Sequence, residues 1–110
     1  MRATVQVDAG VCGFHTLAHA QSEDNQHVNF TIETDCEKIE ALGGRLQEAG
    51  AIDAYQEISP ATESALLALT REVLPGCCAG CAVPVGLFKA MQIAAGLALH
   101  KDIHIILSKE

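Results

Sequence analysis

Five cysteines, Cys12, Cys36, Cys77, Cys78 and Cys81, are the residues of this 110-residue chain best suited to chemistry. Cys78-Ala79-Gly80-Cys81 is a C-x-x-C unit, a spacing that lets both sulfurs reach one ion. Cys12 and Cys36 are distant single cysteines that would complete a four-sulfur site if the fold brings them beside the pair. The candidate ligands are therefore Cys12, Cys36, Cys78 and Cys81, for zinc or an iron–sulfur cluster, since both accept four thiolates. Cys77 adjoins the pair and could take the place of Cys78, because adjacent cysteines do not easily point at one ion.

The same residues support other readings. A C-x-x-C at a helix start, where unpaired N–H groups favour a thiolate, suits thiol redox or sulfur carriage by Cys78 and Cys81. Any one cysteine, taken singly, is as well explained as a small buried hydrophobe. A third function class is a structural interaction module, in which the apolar content and a spare strand edge support self-association into a homo-oligomer.

The elements that would position the cysteines follow from periodicity. Ala3, Val5 and Val7 alternate with Thr4, Gln6 and Asp8, the period of a half-buried strand, and Gly10 and Gly13 place Cys12 in a turn. Strands from about Phe14 to Ala20 and from His27 to Glu33, joined across Ser22-Glu23-Asp24-Asn25, complete a meander. Thr34-Asp35-Cys36-Glu37 has the form of a capping box, with Thr34 accepting from the Glu37 N–H, and puts Cys36 in a first helical turn.

Ile39, Leu42, Leu46 and Ala49 carry that helix to Gly50, its C-terminal cap, and Gly43-Gly44 within it suggest close packing against another backbone. Ser59-Pro60 reads as the start of a second helix bearing Ala65, Leu66, Leu69 and Val73. Pro84 opens a third, nearly all apolar and so expected at the centre, through Leu87, Phe88, Met91, Ala94 and Ala95 to Leu97-Ala98-Leu99. Asp102-Ile103-His104-Ile105-Ile106-Leu107 is β-branched and is expected to return to the sheet. The expectation is a single α+β domain over residues 1–110, a mostly antiparallel sheet packed against helices in the order β-β-β-α-α-α-β.

Composition excludes several functions. A hydrophobic fraction of 49% supplies a core without a structural metal, while no Trp, one Tyr and three Phe leave little aromatic surface for stacking bases. The net charge of -7, with seven scattered basic residues, argues against nucleic acid and anionic membranes as partners. No secretory apolar run opens the chain, and the apolar stretch from Pro84 to Leu99 falls short of the ~20 residues of a membrane span. The expectation is a cytoplasmic protein with reduced cysteines.

His15, His19, His27, His100 and His104 lack a ligand spacing, and surface solvation accounts for them better than a general base. The carboxylates sit at turns and helix starts, where capping explains them. Phosphate-binding, dinucleotide-binding, serine-hydrolase and zincin motifs do not occur in the sequence.

At Cys12-Gly13-Phe14, Thr34-Asp35-Cys36-Glu37, Cys78 to Pro84 and Gly96-Leu97-Ala98-Leu99 the chain resembles a small domain-of-unknown-function family associated with anaerobic bacteria and archaea. The resemblance spans almost the whole chain and brings no activity with it. Cys81-Ala82-Val83-Pro84 stands where the family pattern has Cys-Pro-Val-Pro, and the segment from His15 to His19 departs from the pattern as well.

Overall fold

Alternation of small apolar and polar residues builds the sheet seen in the computed structural model, which describes residues 1–59, 63–77 and 80–110. Strands β1 (Arg2–Asp8), β2 (His15–Gln21) and β3 (His27–Thr34) form the expected antiparallel meander, in register Val5↔Ala18 and Ala18↔Ile32. A two-residue strand, β4 (Ile52–Asp53), extends it by pairing with His27 and Val28, so the sheet order is β1-β2-β3-β4. Ala3, Ala18, Ala20, Val28 and Phe30 point to one face and are buried. Their neighbours Thr4, His19 and Thr31 form a cross-strand row on the other, polar face, where the Thr4 hydroxyl lies 2.9 Å from His19 Nδ1.

Helices cover the apolar face. Helix α1 (Glu37–Ala49) buries Ile39, Leu42 and Leu46 against β3, and α4 (Val83–Ala94) packs on β1 and β2 through Leu87, Ala90, Met91 and Ala94. Between them lies α3 (Ala65–Val73), preceded by a short α2 (Ala54–Ile58). Full burial of each Leu, Ile or Met contributes about 1.5–3 kcal/mol, so the aliphatic layer is the main source of stability.

The domain is α+β with helices on one side of an antiparallel sheet, as the periodicities predict. Several local features differ. The first helix is capped otherwise than by a capping box: its N-cap is Cys36, and Thr34 Oγ1 accepts from the Cys36 N–H at 3.2 Å, while also lying 2.8 Å from Thr16 Oγ1. Thr34 ends β3, so its hydroxyl is drawn into the sheet end instead of reaching Glu37. Gly50, in contrast, is the C-cap expected, at φ 76°.

Ser59 ends α2, and Pro60 lies outside the described residues. The N-cap of α3 is Ser64, whose Oγ accepts from the Leu67 N–H at 3.1 Å and donates to Glu57 Oε1 at 2.8 Å. The Glu57 carboxylate also accepts the N–H groups of Ala65 and Leu66, at 2.8 and 2.7 Å. A buried carboxylate from α2 thus satisfies donors that α3 leaves orphaned.

The expected terminal strand is absent from the sheet. Residues 100–110 form no regular element and are exposed throughout, although Ile103, Ile105, Ile106 and Leu107 are apolar. Strand propensity needs a neighbouring backbone to pair with, and among the described residues this segment pairs with none. The sheet instead gains β4, so the order is β-β-β-α-β-α-α-α. Among the described residues no helix is long and apolar enough to cross a membrane.

The glycines that matter for packing are also not those anticipated. A Cβ on Gly43 would make ordinary contact with the Ile32 side chain at 3.5 Å, and one on Gly44 would meet nothing within 4 Å. The close approach is at Gly86 on α4, where a Cβ would stand 2.9 Å from Val7 Cγ2 and 3.2 Å from Val5 Cγ2.

A candidate thiol site at one end of the sheet

β1 ends at Asp8, β2 begins at His15 and β3 ends at Thr34, and these residues lie at one end of the sheet. The β1–β2 turn at that end holds Cys12. It closes through Gly13 N–H to Gly10 O at 2.9 Å, and both glycines take the left-handed backbone, φ 86° and 74°. The strand–helix junction after β3 holds Cys36. Because Gly86 seats the first turns of α4 on Val5 and Val7, the start of that helix, and with it Cys81, arrives at the same end.

The segment between α3 and α4 adds Cys77, whose carbonyl accepts the Gly80 and Cys81 N–H groups at 3.0 Å each. Lys38, in the first turn of α1, ties this segment to the Cys36 junction: its Nζ donates to Cys77 Sγ at 3.3 Å. Cys12 and Cys77 are exposed, whereas Cys36 and Cys81 are half-buried and pack against the hydrophobic core.

The electrostatics record the gathering. Burial pushes the Cys81 thiol above its ordinary pKa; a hydrogen bond from the Val83 N–H opposes that shift, and charge on Cys36, Cys12 and Cys77 adds to it. Three thiols on separate parts of the chain are therefore within electrostatic reach of Cys81. Among the described residues, no three His, Cys, Asp or Glu side chains stand in an arrangement that would ligate one ion. Of the sequence-predicted ligands, Cys12, Cys36 and Cys81 are brought to one end of the fold, and Cys78 lies outside the described residues.

Cys77, which the sequence offers in place of Cys78, lies at this end, and Lys38 is the addition: a lysine next to an acidic first turn carries no signal and reads as surface. On the polar face nearby, Asp8, His15 and Asp35 cluster, with His15 Nδ1 bonded to Asp8 and the His15 N–H to Asp35 Oδ1 at 2.7 Å. At the opposite end, Asp24 accepts from His27 Nδ1 at 2.7 Å and from the N–H groups of Gln26 and His27. Those bonds hold Asp24 far below the usual carboxylate range and raise His27.

Among the described residues, an antiparallel sheet with helices on one side and thiols brought to one end defines a small α+β domain. A family model described as "Family of unknown function (DUF6951)" matches residues 3–107, and the chain belongs to that family. Neither a curated protein nor a solved structure matches it.

Proposed function

We propose that the protein binds a soft metal ion or an iron–sulfur cluster through Cys12, Cys36, Cys81 and one of the adjacent Cys77 and Cys78. The supporting observation is that Cys12, Cys36 and Cys77 lie within electrostatic reach of a half-buried Cys81, whose thiol burial pushes above its ordinary pKa. Crowded thiols repel one another as thiolates, and a cation relieves that repulsion while displacing the protons. Closing to the ~2.3 Å of a zinc–sulfur bond calls for rotation of the exposed Cys12 and Cys77 side chains, which have room to turn.

A raised pKa is the wrong property for a free nucleophile, which needs thiolate at neutral pH. It favours ligation over redox use of Cys81. The second reading, thiol redox or sulfur carriage, draws its support from Lys38, which places a cation on the exposed Cys77 sulfur. In either reading the protein works in the reducing cytoplasm, and its net charge of -7 makes nucleic acid an unsuitable partner.

The test is anaerobic purification followed by elemental analysis, visible absorption and titration with Cd²⁺. Metal binding predicts about one site per chain, a thiolate-to-metal absorption band and proton release, all diminished in Cys36→Ser and Cys81→Ser. Metal-free protein whose thiols react freely and whose spectrum Cd²⁺ leaves unchanged refutes it. A persulfide or reversible disulfide seen by intact mass in such protein supports the second reading.

A further inference from the structure

Two unsatisfied features of the fold complement each other. Among the described residues the outer edge of β1 is unpaired, because β1 borders β2 alone, so alternate backbone N–H and C=O groups face outward. Behind that edge Val5 and Val7 are only half-buried although they point to the helix side, and Val85 at the start of α4 is 49% exposed. The segment 102–107 has the opposite deficit. Its alternate residues Ile103, Ile105 and Leu107 are 55%, 70% and 89% exposed, and it carries strand-forming residues with no strand to join. The family match runs from residue 3 to residue 107 and so encloses both the edge and this segment.

From these we propose that residues 102–107 form a fifth strand on the β1 edge of a second copy of the chain, in a reciprocal exchange that makes a two-fold dimer. Six residues span about 20 Å as a strand, matched to the ~23 Å of the seven-residue β1. With Ile103, Ile105 and Leu107 turned to the helix side, the added strand covers Val5, Val7 and Val85.

Geometry favours the partner's edge over the chain's own. Helix α4 runs antiparallel to β1: Gly86 lies on Val5 and Val7, whereas a Cβ on Gly96 would touch Met1 Cε at 2.9 Å. The segment therefore leaves beside the start of β1. An antiparallel return over Arg2–Val7 would have to begin opposite Val7, six Cα steps or about 20 Å along the edge, and the six steps from Gly96 to Asp102 cover that only when fully extended, which leaves no residue for the turn that reverses the chain. The chain's own edge thus accepts only a parallel strand, the weaker ladder per residue, whereas a second copy is free of that constraint. Each copy supplies one strand and one edge, so both deficits are met within a closed dimer.

The test uses the full chain under reducing conditions, which remove intermolecular disulfides. Light scattering should give twice the chain mass at micromolar concentration, with slow amide exchange at alternate residues of 103–107. Ile105→Pro/Ile106→Pro, which removes a ladder donor in either register, and Ile103→Asp/Ile105→Asp should both be monomeric with far-UV circular dichroism close to that of the parent. A monomeric parent overturns the proposal, whether the segment exchanges fast or is protected on its own β1. So does a dimer that persists in these variants. The outcome does not depend on whether the cysteines bind metal.

Discussion

The seating of α4 on β1 brings Cys81 to the thiol end, and Gly86→Ala tests it. Replacing an interior helical glycine by alanine is by itself worth about 1 kcal/mol of stabilisation. At Gly86 the new methyl meets Val7 Cγ2 at 2.9 Å and Val5 Cγ2 at 3.2 Å, and branched side chains on a strand have little rotamer freedom to yield. Overpacking of this kind costs about 1–3 kcal/mol, which leaves a net destabilisation of about 1 kcal/mol. Gly44→Ala is the matched control: the same atom is added to an interior helical position with nothing within 4 Å, and the gain of about 1 kcal/mol should be realised. The two variants should therefore differ by about 2 kcal/mol in urea unfolding. At about 4–8 °C per kcal/mol for a domain of this size, their melting temperatures should lie roughly 10 °C apart. If Gly86→Ala is as stabilising as Gly44→Ala, the close approach does not hold α4 against β1, and the positioning argument for Cys81 falls with it.

Glu57→Gln should cost about 2–3 kcal/mol by denaturant unfolding, because the amide loses the charge-assisted bonds and sets an N–H₂ against the Ala65 or Leu66 donor. A change below 0.5 kcal/mol would show that the carboxylate does not cap α3. By NMR titration His27 should have a pKa above its ordinary ~6.5, chiefly through its hydrogen bond to Asp24, and Asp24→Asn should lower it. The raised His27 contributes stability that is complete below ~6.5 and lost as pH rises through its folded pKa, while the lowered Asp24 contributes above ~3.9 and loses it as pH falls through its own. Salt should weaken both contributions, since the pair is exposed. In metal-free protein Cys81 should titrate above the ordinary thiol range of about 8.5, lower in Cys36→Ser, and the fold should lose stability as pH rises through that value. A thiol that titrates below the ordinary range would contradict the burial and crowding described at the site.

Much of the fold was legible because it rests on local rules. The meander of β1 to β3 follows from two-residue alternation and two turn signals, and α1 from helical spacing ended by Gly50. What escaped was either too short for a period or dependent on partners. β4 has two residues and α2 five, and each exists because Val28 offers Ile52 a ladder and Asp53 caps the helix through the N–H groups of Tyr55 and Gln56. Of the candidate site, Cys12, Cys36 and Cys81 were legible as positions at a turn and near helix starts, whereas the place of Cys77 and the reach of Lys38 were not, since contacts across 39 residues leave no periodic trace.

By itself, then, the sequence determined the α+β class, the apolar faces of β1 to β3 and of α1, α3 and α4, and the positions of the cysteines at element ends. These depend on side-chain periodicity and backbone preference, which act over a few residues. Tertiary structure alone decided that the thiols share one end of the sheet, because that depends on α4 lying antiparallel to β1 at a separation that Gly86 permits. It also decided that residues 102–107, strand-forming by composition, stay outside the sheet, because a strand is a pairing between backbones and one backbone cannot determine it.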